Sequence, residues 1–226
     1  MFTIISTYSP DFASALDLFV PTWLTNSGAS EIVIHDIDAG TWMENIVARN
    51  QIIHDEVVAR SSRGEKVLSL DIDTLVLRDL SGGFSGDHAF SVARWPEVQM
   101  GVTFFNTARP FKWNRWMGDT LRMIQKECVY RGPKTRNPQY ENRQCDQKVW
   151  KPRLWSTPDE VCKLGEWEWN YNAKESHQWE RDLPTLKDIT RVLHLKGHGK
   201  WPRERLEFAK RLWPKELECL ELPPAS

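Results

Sequence analysis

Apolar positions along this chain switch between two rhythms, short continuous runs and helical stripes, and their alternation predicts the architecture. Thr3 to Ser6 is a run suited to a buried strand, and Phe12, Leu16, Phe19, Val20 and Trp23 then recur on one helical face. Ser9-Pro10-Asp11 supplies a cap residue, a first-turn proline and an acid, so a helix is expected to begin there. Pro21 predicts a kink or an early end, and Asn26-Ser27-Gly28 a stop. Glu31 to His35 reads as a second strand ending at Asp36, and Thr41 with Glu44 has capping-box spacing. Met43, Ile46, Val47, Ile53 and Val57 extend that helix to Gly64. The third strand, Lys66 to Leu70, runs into Asp71-Ile72-Asp73 before a further apolar run. Strand, helix, strand, helix, strand predicts an α/β domain with a mostly parallel sheet, right-handed crossovers and a ligand site outside the carboxyl ends of the strands.

Beyond this point the pattern changes. Ser81-Gly82-Gly83 reads as a turn, His88 to Ala93 and Gly101 to Asn106 as strands, and Trp113, Met117, Leu121, Ile124 and Cys128 as a helical stripe. Residues 131–142 have the composition of a basic loop, either closing over a phosphate-bearing ligand or simply solvated. A short segment from Cys145 to Trp150, an aromatic cluster from Trp167 to Asn172, a last strand from Thr190 to Leu195 and a helix from Arg203 to Leu212 complete the chain.

The paired acids are the chemical focus. Side chains alternate along extended backbone, so Asp71 and Asp73 are expected to point the same way. Two carboxylates that close repel unless a cation lies between them or one holds a proton. A divalent metal at the end of the central strand is the functional reading, and a pair of acids solvated in a turn is the plain one. Charge is uneven in the same sense. There are 6 Lys and Arg against 14 Asp and Glu in residues 1–100, and 24 against 17 in residues 101–226, giving nets of −8 and +7. An acidic half able to hold a metal beside a basic half able to hold phosphates fits a site between them.

With 226 residues and 40% hydrophobic content, one domain is expected. Cys128, Cys145, Cys162 and Cys219 include no C-x-x-C pair, which argues against a zinc site and for reduced thiols. No apolar run is long enough for a signal peptide core or a membrane span, so a cytoplasmic protein with no nucleic-acid partner is expected.

Five features occur in a fixed order. They are Asp71-Ile72-Asp73, Gly101-Val102-Thr103-Phe104-Phe105-Asn106, Asp146-Gln147, Trp169-Asn170-Tyr171-Asn172 and His194-Leu195-Lys196-Gly197-His198-Gly199-Lys200. Together they resemble the glycosyltransferases of the GT-A fold, most closely family 8. The resemblance implies that Asp71, Asp73 and His194 hold Mn2+ or Mg2+ against the diphosphate of a nucleotide-sugar donor, a UDP-sugar in this family. Lys200 would bind the diphosphate, with Gly197 allowing close backbone approach. Tyr8 would stack on the nucleobase, Asp36 would reach the nucleoside, and Asn106 would line the sugar pocket. Asp146 and Gln147 would lie near the reacting carbon, and Trp169 and Asn170 on the acceptor side, with residues 1–80 the nucleotide-binding half and 81–226 the acceptor half; of the tryptophans, Trp167 and Trp169 are expected to face a ligand. The acceptor would be a hydroxyl of a glycan, a protein or a lipid-linked molecule. Lys200-Trp201-Pro202 departs from the family's Lys-Pro-Trp order. Two other readings stand beside this one. The first is a haloacid-dehalogenase-like phosphohydrolase, whose D-x-D closes the first strand of its core. The second is a non-catalytic carbohydrate-binding module using the tryptophans.

Overall fold

The computed structural model describes residues 1–93, 100–130, 145–172, 176–195 and 203–222. Its centre is a six-stranded sheet in the order β2-β1-β3-β6-β5-β7. β1 (Phe2–Tyr8), β2 (Glu31–Asp36) and β3 (Lys66–Leu70) run parallel, as the alternating pattern predicts. β6 (Val102–Phe105) lies antiparallel to both β3 and β5 (Phe90–Ala93), and β7 (Val161–Leu164) returns parallel to β5. A second, two-stranded sheet pairs β4 (Thr74–Val76) with β8 (Val192–His194), antiparallel, setting Thr74 opposite His194.

Side-chain alternation along β3 divides the core between the two faces of the sheet. Leu68 and Leu70 pack with Phe2, Ile4, Phe104 and α1 (Ser14–Asn26) on one side. Val67 packs with Ile5, Phe105 and Phe90 on the other, under α2 (Trp42–Ser61), α3 (Trp113–Tyr130) and α4 (Cys145–Trp155). Burying both faces explains why β3 reads as a continuous apolar run. The Thr41–Glu44 capping box opens α2 as expected.

Three local expectations change. Ser9 caps no α-helix; Pro10–Phe12 is a 3-10 turn, and α1 begins at Ser14 and continues through Pro21 to Asn26. The helix bond lost at Pro21 is offset by tertiary anchors. Trp23 Nε1 donates to Thr74 O at 2.7 Å, Asn26 Nδ2 to Val76 O at 2.8 Å, and Val76 N to Thr22 Oγ1 at 3.1 Å. These bonds also satisfy the β4 edge that β8 does not cover. β7 was not foreseen, because its Val-Cys-Lys-Leu is too short to show a rhythm. Finally, Cys128 is disulfide-bonded while Cys162 and Cys219 are free thiols, so the expectation of reduced cysteines is corrected at Cys128. Linear spacing carries no information about a bridge made by folding. Among the described residues no helix is long and apolar enough to cross a membrane.

α5 (Glu166–Trp169), α6 (Ser176–Leu186) and α7 (Arg203–Leu212) complete the helices, bringing Trp169, Trp179 and Leu206 to the core on the α1 side. One close approach in that core is testable. A Cβ added at Gly83 would lie 2.3 Å from Phe104 Cζ, and Phe104 is fully buried. Gly83→Ala should therefore lower the unfolding free energy by about 1–3 kcal/mol, read as a shifted urea midpoint with unchanged slope. An unmoved midpoint would mean that the ring has room to yield.

Candidate metal and nucleotide site

β3 ends at Leu70, and Asp71-Ile72-Asp73 forms a turn before β4. The acids therefore converge by a turn, not by strand alternation as expected. The turn is fixed at three points: Asp71 N donates to Gly101 O at 2.8 Å, Thr74 Oγ1 to Asp71 O at 2.8 Å, and Leu195 N to Asp73 O at 2.8 Å. Pairing of β4 with β8 then sets His194 beside both carboxylates. Its Nε2 lies 3.1 Å from Asp73 Oδ1 and 3.7 Å from Asp71 Oδ2. One ligand atom from each of the three lies within 4.8 Å of the others.

The ring of His194 is held by a residue expected in another role. His194 Nδ1 lies 3.1 Å from Asn170 Oδ1, and both residues are buried. An amide oxygen only accepts, so this contact calls for a proton on Nδ1, and Nε2, facing the acids, would offer its lone pair to a cation placed between them. Asn170 thus supports a ligand where the resemblance placed it on the acceptor side. Its Nδ2 is buried without a partner among the described residues. Space for an ion is kept by Gly101, where a Cβ would stand 2.7 Å from both Asp71 Oδ2 and His194 Cε1. Two carboxylates, an imidazole with its lone pair turned inward and a cradle that a methyl group would fill suit Mn2+ or Mg2+, the harder carboxylates admitting either.

Arg49, on α2, is the residue that sequence reading missed. Its Nη2 lies 2.5 Å from Asp71 Oδ1 and donates to Met100 O at 3.1 Å. Burial pulls its pKa down, but Asp71, Asp146 and Asp73 together outweigh that and raise it. A signal was available one position on. Asn50 sits on the buried stripe with Ile46 and Ile53, and a polar residue there marks an inward polar network. Asn50 Oδ1 accepts from Trp150 Nε1 at 2.8 Å, and its Nδ2 lies 3.4 Å from Asp146 Oδ2. Burial pushes the Asp146 carboxyl up, against the pull of Arg49 and the bonds from Asn50 and Gln147 N. Asp146 is buried at the start of α4 with Gln147 half-buried beside it, and Asp146 shares the field of Arg49 with Asp71.

Next to the acids lies a cleft of about 170 Å³ lined by Tyr8, Phe12, Ile37, Trp42, Arg49 and Asp71, among others. Tyr8 thus stands where a planar base could rest, with Trp42, 48% exposed, as an aromatic partner that the sequence reading did not single out. Asp36 is exposed at the end of β2, in register with Tyr8. Other expected residues are not brought here. Asn106 follows β6, whose antiparallel course puts it at the opposite end of the sheet, where its Nδ2 donates to Ser85 O. Trp169 is a core residue, edge-on to Phe104 and beneath the Arg191 guanidinium. Trp167 is 52% exposed but accepts from Thr190 Oγ1 at the end of β8 away from His194. Both corrections share a cause: the backbone direction, not the residue type, decides which end of an element meets the site. Gly197, Lys200 and the basic segment 131–142 lie outside the described residues.

No known family profile and no curated protein matches the chain. Solved structures do. A galactosyltransferase, LgtC, solved in complex with donor and acceptor sugar analogs, is 16% identical over 99% of this chain and 98% of its own, with a TM-score of 0.52. A glycosyltransferase involved in glycosylation of the major capsid of PBCV-1 is 15% identical over 93% of this chain and 98% of its own, TM-score 0.52. Mouse xyloside xylosyltransferase 1 in its apo form is 9% identical over 89% and 99%, TM-score 0.51. The chain therefore has the GT-A glycosyltransferase fold, not the dehalogenase-type arrangement with its motif on the first strand.

The support given to His194 predicts a specific loss. Asn170→Leu should weaken Mn2+ binding by about 10- to 100-fold in calorimetry while leaving the unfolding transition cooperative. Unchanged affinity would mean that the amide does not orient the ring.

Proposed function

We propose that this chain is a metal-dependent glycosyltransferase that moves a sugar from a nucleoside diphosphate donor, a UDP-sugar, to a hydroxyl acceptor. The observation that carries the reading is the convergence of Asp71, Asp73 and His194 within 4.8 Å at the mouth of an aromatic cleft, in a GT-A fold. A bound Mn2+ or Mg2+ would neutralise negative charge as it develops on the departing diphosphate.

The chain's own residues do the rest. Tyr8 and Trp42 would take the base between them, and Asp36 would reach the nucleoside. Asp71, Asp73 and His194 would fix the diphosphate end, with Lys200 expected to add positive charge. Arg49 would hold Asp71 in place and, in the same field as Asp146, help fix the side of the site that meets the sugar. In the transfer the anomeric carbon loses its bond to the phosphate oxygen and gains one to the acceptor oxygen, whose proton passes to the departing phosphate. Retention of anomeric configuration follows from the likeness to family 8 and needs no protein nucleophile. Asp146 and Gln147 would then steady the cationic sugar. The acceptor is a hydroxyl of a glycan, a protein or a lipid-linked molecule.

A thermal-shift panel of nucleotide sugars with and without Mn2+ tests the donor. A ligand at about 100 times its Kd should add about 2.7 kcal/mol of apparent stability. Asp73→Asn should remove the metal-dependent part of that gain and slow transfer by roughly 100-fold or more. A donor that stabilises the protein equally with a chelator present would overturn the metal's role, and the absence of any nucleotide-sugar effect would overturn the function.

A further inference from the structure

A groove at the opposite end of the sheet has no part in the site above. Two concavities, of about 490 and 590 Å³, meet along Pro110, Phe111, Lys112 and Arg115. One is bounded by Gly64, two residues before β3, and Thr107, two residues after β6, so it opens where β3 begins. The five residues of β3 put it about 17 Å from Asp71.

The chemistry of the groove is selective. The side chains of Lys112 and Arg115 are exposed and, among the described residues, make no hydrogen bond or ion pair. Arg153 is pre-set: its guanidinium lies over the Trp116 ring at 4.7 Å, with Nε donating to Thr120 Oγ1 and Nη2 to Trp116 O, both at 3.1 Å. A guanidinium locked in this way loses little freedom on meeting an anion. Asp119, the acid on this rim, is engaged by Arg122. Along the other limb Ser61 and Ser62, whose hydroxyls donate to Val58 O and Ala59 O, keep oxygens that accept, and Asn114 adds an amide.

We infer that this groove is a second carbohydrate-binding site, built for an acidic oligosaccharide. Lys112, Arg115 and Arg153 would meet its acid groups, Phe111 would face a sugar ring, and Ser61, Ser62 and Asn114 would bond its hydroxyls. A concave path that lines hydroxyl-bonding groups beside three cations suits a ligand that carries both hydroxyls and acid groups. Duplex nucleic acid is engaged through some 6–10 phosphate contacts, more than these three cations can make. A membrane surface would call for exposed large apolar side chains, and the exposed ones, such as Met123 and Trp155, do not line the groove.

The test is calorimetry on the full chain without metal or nucleotide, so its outcome does not depend on the transferase reading. Hexagalacturonate should bind, maltohexaose should not, and added salt should weaken the interaction. Lys112→Glu with Arg115→Glu should reduce affinity by roughly 10-fold or more, and the Met replacements, which keep the apolar stems, by less. Thermal unfolding of each variant should match the parent, since both side chains are exposed. No binding of hexagalacturonate, equal binding of maltohexaose, or indifference to both double variants overturns the site. Equal or tighter binding of duplex DNA or phosphatidylglycerol vesicles overturns the assignment to a saccharide.

Discussion

Clustering acid groups at the end of a buried strand is unfavourable unless positive charge is supplied, and this requirement organises the molecule around β3. Arg49 meets it from one side, reaching Asp71 from α2 while anchored on Met100 O. Asp146 is drawn into the same field from α4. The space left between Asp71, Asp73 and His194 is kept clear by Gly101, on the segment that enters β6. Four elements thus converge on one electrostatic problem, and the apolar packing beneath them serves to keep the groups from moving apart. In such a site a fixed guanidinium is a tolerable partner, because truncating either member of the pair would leave an uncompensated charge.

The small sheet of β4 and β8 is the mechanical counterpart of that arrangement. It continues directly from the acid turn, and α1 closes its outer edge with Trp23, Asn26 and Thr22. Because Thr74 sits opposite His194, a one-residue slip of β8 would turn the imidazole to the wrong face. Register is resisted by Leu75, Val76, Val192 and Leu193, all buried in the same core. Specific placement of a ligand atom is in this way enforced by hydrophobic burial some residues away.

Much of this was legible beforehand, for identifiable reasons. The first three strands and two helices carry strong periodicity, and the acids interrupt an apolar run where no interruption is expected. His194 could be named because a spaced motif surrounds it. Asn106, Trp167 and Trp169 were misplaced because a motif fixes order along the chain but not the direction in which an antiparallel strand or a short helix delivers its end. Arg49 was overlooked because an arginine on a polar-rich helix looks solvated. Asn170 was singled out for the acceptor side, and what the fold adds is its contact with the ring of His194, a residue 24 positions later. The disulfide at Cys128 depends on an approach in space that spacing does not encode.

The route by which the third ligand arrives has a consequence for assembly. Asp71 and Asp73 leave β3 early in the chain, but Leu195 N reaches Asp73 O, and His194 the carboxylates, only when β8 closes on β4 across more than a hundred residues. Such a distant closure carries a large entropic cost and belongs among the slower contacts to form. During synthesis, therefore, the two carboxylates precede their imidazole partner, and the complete group of two acids and a histidine becomes a mark of the finished molecule.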